Sequence, residues 1–307
     1  MIQSGNAPRL RVAVVGIGRV GSVLGAALGR AGHQLVAGTG VSAESQRRAA
    51  RLLPGVALMP ADEAVGQADL VLLTVPDSEL AGLISGLAAT GAWQTGQLAV
   101  HTSGANGVAI FDPATAAGVV GMALHPVMTF AGRPEDLQRL DGAAFGVTAP
   151  EEFRPVAETL VIELGGEPVW VPESARPGYH AALSMGSNHL VTLVNDSRDV
   201  LAAAGVENPT RLLAPLLSAS LDNALRLADD ALTGPVSRGD RGTLEAHIHA
   251  LRGTAYLQPY LAMALRTMQR AHAAGRLTRQ QCADLLEGID EAEGDEAEGD
   301  QAEGGSR

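Results

Sequence analysis

Lysine is absent from this chain, and all 22 basic residues are arginine. That excludes Schiff-base catalysis, a phosphate-loop lysine and an ammonium general acid. Cysteine is almost absent too. A lone Cys282 supports no disulfide framework, which fits a reducing compartment. Although 46% of the residues are hydrophobic, no apolar run approaches the roughly 18–20 residues of a membrane helix, so no membrane partner is expected. The opening MIQSGNAPR has neither the apolar segment nor the small-residue cleavage site of a secretory signal, and a cytoplasmic location is expected. Positive charge is scarce as well. The formal net charge is −12, but the segment from Asp290 to Arg307 holds eight acids and one arginine, which leaves about −5 for the rest. Nucleic acid and anionic membranes require clustered positive charge, so neither is expected as a partner.

What is present is a regular alternation. Leu10–Val15 reads LRVAVV, a continuous apolar strand of the kind buried on both faces of a parallel sheet. A glycine turn follows, then a helix over 19–31 and a second strand from His33 to Ala37. Further apolar runs at Leu70–Val75, Leu98–Val100, Val119–Leu124 and Phe145–Val147 are separated by helix-like or loop segments. The pattern predicts an α/β fold, a doubly wound Rossmann domain over 8–171. After Val171-Pro172 the strand signal fades and helices are predicted near 177–204, 207–230, 243–274 and 277–288. This gives an all-helical C-terminal domain over 172–289 for substrate and dimerisation. The repeated EAEGD of residues 290–307 has no apolar residue larger than alanine and reads as a disordered acidic tail, dispensable beyond Gly288.

GIGRVG, residues 16–21, places G-x-G-x-x-G between a strand and a helix, the context in which that spacing carries meaning. Gly16 would permit the tight turn, Gly18 the approach of a pyrophosphate and Gly21 close helix packing. Around them Ile17, Arg19 and Val20 would bring the orphan N–H groups of the helix start to the phosphates. An NAD site usually carries an acid about 20 residues onward. Here the chain reads Gly38-Thr39-Gly40-Val41-Ser42, and Ser42 with Arg47 and Arg48 suits a 2′-phosphate. NADP is therefore the expected cofactor, with NAD as the alternative. Val75-Pro76-Asp77 ends another strand, at the edge where such sheets bind ligands, and Asp77 reads equally as ligand group or helix N-cap.

His101-Thr102-Ser103 and His125-Pro126 each follow a strand, so two histidines reach one rim. Carbonyl reduction needs a proton donor whose pKa lies near working pH, which makes both catalytic candidates. On the first long helix His180, Ser184 and Asn188 fall at i, i+4 and i+8, one polar stripe on an otherwise apolar helix that should be mostly buried. The stripe reads equally as cleft lining or interhelical seam. Arg238 and Asp240 could hold substrate or each other, and Thr243 lies one turn before His247. No metal site is expected, because His247 and His249 point apart.

With GIGRVG, TVPD, HTSG, HPVMTF, HAALSMGSN and TGPVSRGDRGTLEAH spread over residues 16–247, the chain resembles Rossmann-like oxidoreductases whose C-terminal half is a helical domain of unknown function. Its N-terminal half is similar to deazaflavin-dependent NADP oxidoreductases. The wider superfamily of phosphogluconate, hydroxyisobutyrate and ketopantoate reductases carries Lys-x-x-x-Asn on the corresponding helix. Asn188 matches its asparagine, while Ser184 stands at the lysine position. The resemblance implies a phosphogluconate-dehydrogenase-like C-terminal domain, a homodimer formed through it, and an NADP-dependent oxidoreductase acting on a small carbonyl or hydroxy acid. Histidine, from His125, His180 or His101, would replace the lysine, with Asn188 and Ser103 orienting substrate. Two alternatives stand beside it. One is a non-catalytic dinucleotide-binding regulator. The other is an oxidative decarboxylase resembling prephenate dehydrogenase, on the similarity of His125-Pro126-Val127-Met128 to that family's His-Pro-Met segment.

Overall fold

The computed structural model describes the backbone of residues 8–304, with side-chain surroundings up to Glu291. Two compact units divide it, residues 1–188 and 189–307. The first is built on one eight-stranded sheet: β1 (Arg11–Val15), β2 (Gln34–Thr39), β3 (Ala57–Leu58), β4 (Leu70–Leu73), β5 (Leu98–His101), β6 (Val120–Pro126), β7 (Ala144–Thr148) and β8 (Glu167–Trp170). Their spatial order is β3-β2-β1-β4-β5-β6-β7-β8. All neighbours pair in parallel except β6 and β7, which run antiparallel with His125 opposite Gly146.

Both faces of the central strands are buried, which is why they read as unbroken apolar runs. Side chains alternate along a strand. Val12 and Val14 of β1 and Leu70 and Leu72 of β4 therefore enter one core, with Val23, Leu24 and Leu28 of α1 (Arg19–Arg30) and Leu160 and Val161 of the helix Arg154–Glu163. Ala13, Val15, Val71 and Leu73 enter the opposite core with Leu80, Ile84 and Leu87 of the helix Asp77–Ala89. The strand order reverses between β1 and β4, and ligands of open α/β sheets bind beyond the strand ends at such a reversal. Gly16 follows β1 there, and Val75-Pro76-Asp77 follows β4.

Sequence reading stops the sheet domain at Val171, but the compact unit runs to Asn188. The added helix Arg176–Ser184 is anchored to the sheet by the buried Arg176. The strands β3 and β8 escape the apolar-run criterion because they are short, with exposed or half-buried side chains.

The second unit holds the helices Leu190–Ala203, Pro209–Leu227, Arg241–Leu251, Leu257–Ala273 and Arg279–Gly304. One helix expected over 243–274 is two, separated by the turn at Gly253-Thr254. Its core gathers Leu244, Ile248, Leu257, Leu261, Met268, Leu285 and Ile289. Asp240 caps the helix Arg241–Leu251, accepting from Thr243 N at 3.0 Å and Thr243 Oγ1 at 2.7 Å, so its carboxylate serves the fold. The last helix continues to Gly304, where composition points to a disordered tail. Alanine and glutamate are strong helix formers and extend the helical backbone. Residues 305–307 of that expected tail lie outside the described residues.

The expectation of a mostly buried first long helix also fails. Met185, Val191 and Leu193 are exposed large hydrophobics. Residues Met185–His189 form a π-helical turn between Arg176–Ser184 and Leu190–Ala203. The wider turn breaks the α-helical phase assumed for Ser184 and Asn188, leaving Ser184 half-buried and Asn188 exposed. Among the described residues no helix is long and apolar enough to cross a membrane.

Candidate active site at the carboxyl edge of the sheet

The glycine turn is shaped by contacts that exclude side chains. Gly16 has φ +94°, and a Cβ there would lie 3.0 Å from the Thr74 backbone. Its carbonyl accepts from the Thr74 hydroxyl at 2.6 Å, while Gly16 N and Ile17 N both donate to the Thr39 carbonyl. A Cβ on Gly21 would lie 2.2 Å from Thr74 Oγ1 and 2.4 Å from the Gly16 carbonyl oxygen. Gly18 is different, since its nearest atom to such a Cβ is 3.9 Å away. The space beside Gly18 is thus open, and it adjoins the first turn of α1, where Arg19, Val20 and Gly21 carry N–H groups without intrahelical acceptors. No acidic residue stands in that turn. The arrangement can take a pyrophosphate on open backbone.

At the end of β2 the expected 2′-phosphate groups divide by environment. Ser42 caps α2 (Ala43–Leu52), its hydroxyl oxygen accepting from Ser45 N at 3.0 Å. Arg48 pairs with Glu44, and Arg51 donates to the Gly132 carbonyl at 2.6 Å. Arg47 is exposed and has no carboxylate partner among the described residues. It is the cation of this helix left for a ligand.

Beyond β4, Pro76 takes the N-cap position and Asp77 opens the helix, so the alternative of Asp77 as cap does not hold. Its carboxylate instead accepts from the Ser103 hydroxyl at 2.8 Å. Ser103 Oγ in turn accepts from Asn106 N and Nδ2, at 3.1 and 3.0 Å. The hydroxyl proposed to orient substrate is thereby fully engaged in holding its own loop.

His101 is sealed from solvent and stacked on Phe111, with centroids 5.4 Å apart. Its Nε2 donates to the Gly107 carbonyl at 2.9 Å and Nδ1 accepts from Ser103 N at 3.2 Å. Desolvation dominates over the Gly107 hydrogen bond, and its pKa is depressed to about 4. With both nitrogens occupied by backbone, His101 braces the turn and is withdrawn from the proton-donor candidates.

His125 and His180 do come together. Their rings meet edge to face with centroids 5.9 Å apart, and both pack on Gly104, where a Cβ would lie 2.6 Å from His180 Cδ2 and 3.0 Å from His125 Nε2. His125 Nδ1 lies 2.9 Å from the Tyr179 hydroxyl. Desolvation first, then the neighbouring His180 and Arg176 charges, hold the His125 pKa down at about 4. Burial likewise raises the Tyr179 pKa, against the opposing pull of Arg176.

Sequence reasoning missed Arg176 and Tyr179. Arg176 is fully buried, and no carboxylate bridges it among the described residues. It donates to Thr148 Oγ1 at 2.9 Å and to the carbonyls of Ser103 (3.2 Å), Ala123 (3.1 Å) and Gly146 (3.0 Å). One guanidinium thus ties the β5 loop, β6 and β7 to the helix bearing Tyr179 and His180. The weak signal available was a lone arginine and a rare tyrosine immediately before His180.

Residues 3–126 match a Rossmann-like domain, and residues 143–267 match a Domain of unknown function (DUF2520). A search of curated proteins finds no match. Among solved structures, a candidate NADP oxidoreductase from Bacteroides fragilis aligns with a TM-score of 0.70 at 19% identity, covering 85% of this chain and 98% of its own. A 1-pyrroline-5-carboxylate reductase from Streptococcus pyogenes aligns at 0.56 and 16% identity, over 86% and 99% of the two chains. 3-Hydroxyisobutyrate dehydrogenase from Mycobacterium tuberculosis aligns at 0.53 and 17%, over 87% and 94%. At these identities the likeness carries the fold. The DUF2520 match begins at residue 143, so β7, β8 and the helix with Tyr179 and His180 belong to it although they extend the Rossmann sheet. The chain is a Rossmann-like domain continued by a DUF2520 domain.

Proposed function

We propose that the protein is an NADP-dependent oxidoreductase that transfers a hydride between the cofactor and a small carbonyl or hydroxy acid, with His125 and His180 as the proton-handling pair. The observation that carries this reading is their meeting at the carboxyl edge of the sheet whose β1–β4 reversal holds an unobstructed glycine turn. When bound, NADP supplies the hydride. The backbone beside Gly18 and the start of α1 would hold the pyrophosphate, and Arg47 the 2′-phosphate, on a helix whose start Ser42 caps. His125 would address the substrate oxygen. Its depressed pKa makes it neutral near pH 7, so it acts as a hydrogen-bond donor rather than an imidazolium. NAD stands as the alternative cofactor.

A second copy of the chain is the proposed partner. The helix Pro209–Leu227 buries only Leu213, and Leu190–Ala203 buries nothing. At 100° per residue, Leu212, Leu216 and Leu227 share one side of the longer helix while Leu221 and Leu225 lie opposite, and all five are exposed. A helix apolar on opposite sides requires cover on both.

The test is calorimetric titration with NADPH and NADH, followed by NADPH oxidation with a panel of 2-oxo acids and cyclic imines. Tight NADPH binding with turnover on one class, lost in His125→Ala, supports the reading. Binding without turnover on any member would favour the regulatory alternative, and absence of dinucleotide binding would overturn both.

A further inference from the structure

Resting on that reading of His125, the hydrogen bond between it and Tyr179 gives the site a further function-bearing residue. We infer that Tyr179 is a positioning residue whose hydroxyl donates to His125 Nδ1, fixing the neutral imidazole as the Nε2–H tautomer and supplying a relayed proton to a carbonyl oxygen.

The direction of the bond follows from the available partners. The Tyr179 hydroxyl sits against Gly146, where a Cβ would come within 2.3 Å of the oxygen, so no side chain can stand on that side. A partly buried phenol needs an acceptor for its proton. Among the described residues its hydrogen-bond partner is His125 Nδ1, at 2.9 Å. An Nδ1 that accepts carries no proton, which leaves the imidazole proton on Nε2. His125 Nε2 makes no hydrogen bond within the described residues and lies beside Gly104, where a Cβ would come within 3.0 Å of it, so a side chain there would crowd the nitrogen.

The charged and titratable surroundings agree. Facing His125 are His180, Arg176 and Tyr179 from the helix Arg176–Ser184, Asp77 from the helix Asp77–Ala89, and His101 from β5. Burial and the cationic neighbours oppose a second proton on the ring, and Asp77 favours it more weakly. Arg176 lies 5.9 Å from the centre of the Tyr179 ring and offsets part of the burial that disfavours its phenolate.

In the reductive direction the balance is complete. A bound NADPH would supply hydride to the carbonyl carbon, the C=O π pair moving to oxygen and NADP⁺ being the co-product. That oxygen takes the Nε2 proton while Nδ1 takes the phenolic proton, leaving His125 as the neutral Nδ1–H tautomer beside a Tyr179 phenolate; return of the Nδ1 proton to the phenolate with uptake of a proton from water at Nε2 restores the starting state.

The experiment is a nitrogen-15 NMR titration of the full-length protein without ligand, with His125 assigned by the signal lost in His125→Gln. The parent should show a single Nε2–H tautomer near pH 7 that titrates well below the ordinary histidine range. Tyr179→Phe should mix the tautomers and raise the pKa, because a donor to Nδ1 stabilises the unprotonated ring. A parent in the Nδ1–H form overturns the proposal without use of any variant. So does an unchanged tautomer and pKa in a Tyr179→Phe protein that melts like the parent. Neither result depends on cofactor binding, so failure of the oxidoreductase reading would register separately in the NADPH titration.

Discussion

Gly18 and Gly21 differ by three positions, and the structure assigns them opposite consequences on substitution by alanine. At Gly21 the added methyl would lie 2.2 Å from Thr74 Oγ1 and 2.4 Å from the Gly16 carbonyl oxygen. One of these is backbone, so α1 must shift off β1. Overpacking of this kind costs about 1–3 kcal/mol. Parting Thr74 from Gly16 adds about 1 kcal/mol for the lost hydrogen bond. The combined loss of about 2–4 kcal/mol should lower Tm by roughly 5–15 °C for a unit of this size. At Gly18 the nearest atom to the methyl is 3.9 Å away, ordinary contact, and the backbone there is extended at φ −82°. Gly18→Ala should therefore melt within about 2 °C of the parent, as surface substitutions do. Its methyl would nevertheless stand where the pyrophosphate approaches, and NADPH affinity should fall at least tenfold, about 1.4 kcal/mol. Differential scanning calorimetry and NADPH titration of both variants read the two effects independently. Parent-like NADPH binding by Gly18→Ala would refute the placement of the pyrophosphate, and a parent-like Tm for Gly21→Ala would refute the packing argument.

Four further outcomes are expected. Arg47→Ala should remove most of a preference for NADPH over NADH in paired titrations, since Arg48 and Arg51 are already engaged; equal affinities in the parent would contradict the 2′-phosphate assignment. Sedimentation should show a dimer that Leu216→Glu with Leu225→Glu converts to monomer, and a monomeric parent would leave the exposed helix unexplained. Truncation after Gly288 deletes Ile289, only 3% exposed in the helical core, and should cost about 1.5–3 kcal/mol, whereas truncation after Glu291 keeps every core residue named here; equal melting of the two would place the end of that core elsewhere. His101 and His125 titrate at about 4 when folded but near 6.5 when unfolded, so the unfolded chain binds more protons as pH falls between those values. Each should remove about 1.4 kcal/mol of stability per pH unit through that window, and a denaturation midpoint flat from pH 6.5 to 4.5 would contradict it.

The doubly wound sheet was legible because both of its faces are buried, so β1 and β4 appear as unbroken runs of Val, Ala and Leu. The glycine turn was legible for a related reason: a residue without a Cβ at Gly16 and Gly21 reports a contact that nothing else can make. Sequence spacing failed where geometry departed from regular helix. The π turn at Met185–His189 contains no proline to announce it, and its extra width breaks the alignment of Ser184 with Asn188. Histidines were visible as a type, but their environments were not. Only the three-dimensional contacts separate His101, saturated by Gly107 and Ser103, from His125, whose Nε2 has no hydrogen-bond partner among the described residues.

The lysine position of the reductases that the sequence resembles shows why a substitute for it was hard to read. A search along the same helix finds Ser184, which offers no proton of suitable acidity. The structure supplies instead a cluster drawn from both sequence domains, His125 from the Rossmann-like match and Arg176, Tyr179 and His180 from the DUF2520 match. They meet because β7 and β8 extend the Rossmann sheet and Arg176 ties the following helix to β6 and β7 through buried carbonyls. The hydrogen bonds and ring contacts named for that cluster join residues of the first compact unit, so the sheet fixes the geometry of the proposed proton relay. The domain of unknown function thereby contributes to the proposed chemistry through its first 45 or so residues, before its long helices begin. Its remaining length leaves leucines exposed along Pro209–Leu227, the face that the proposed second copy would cover.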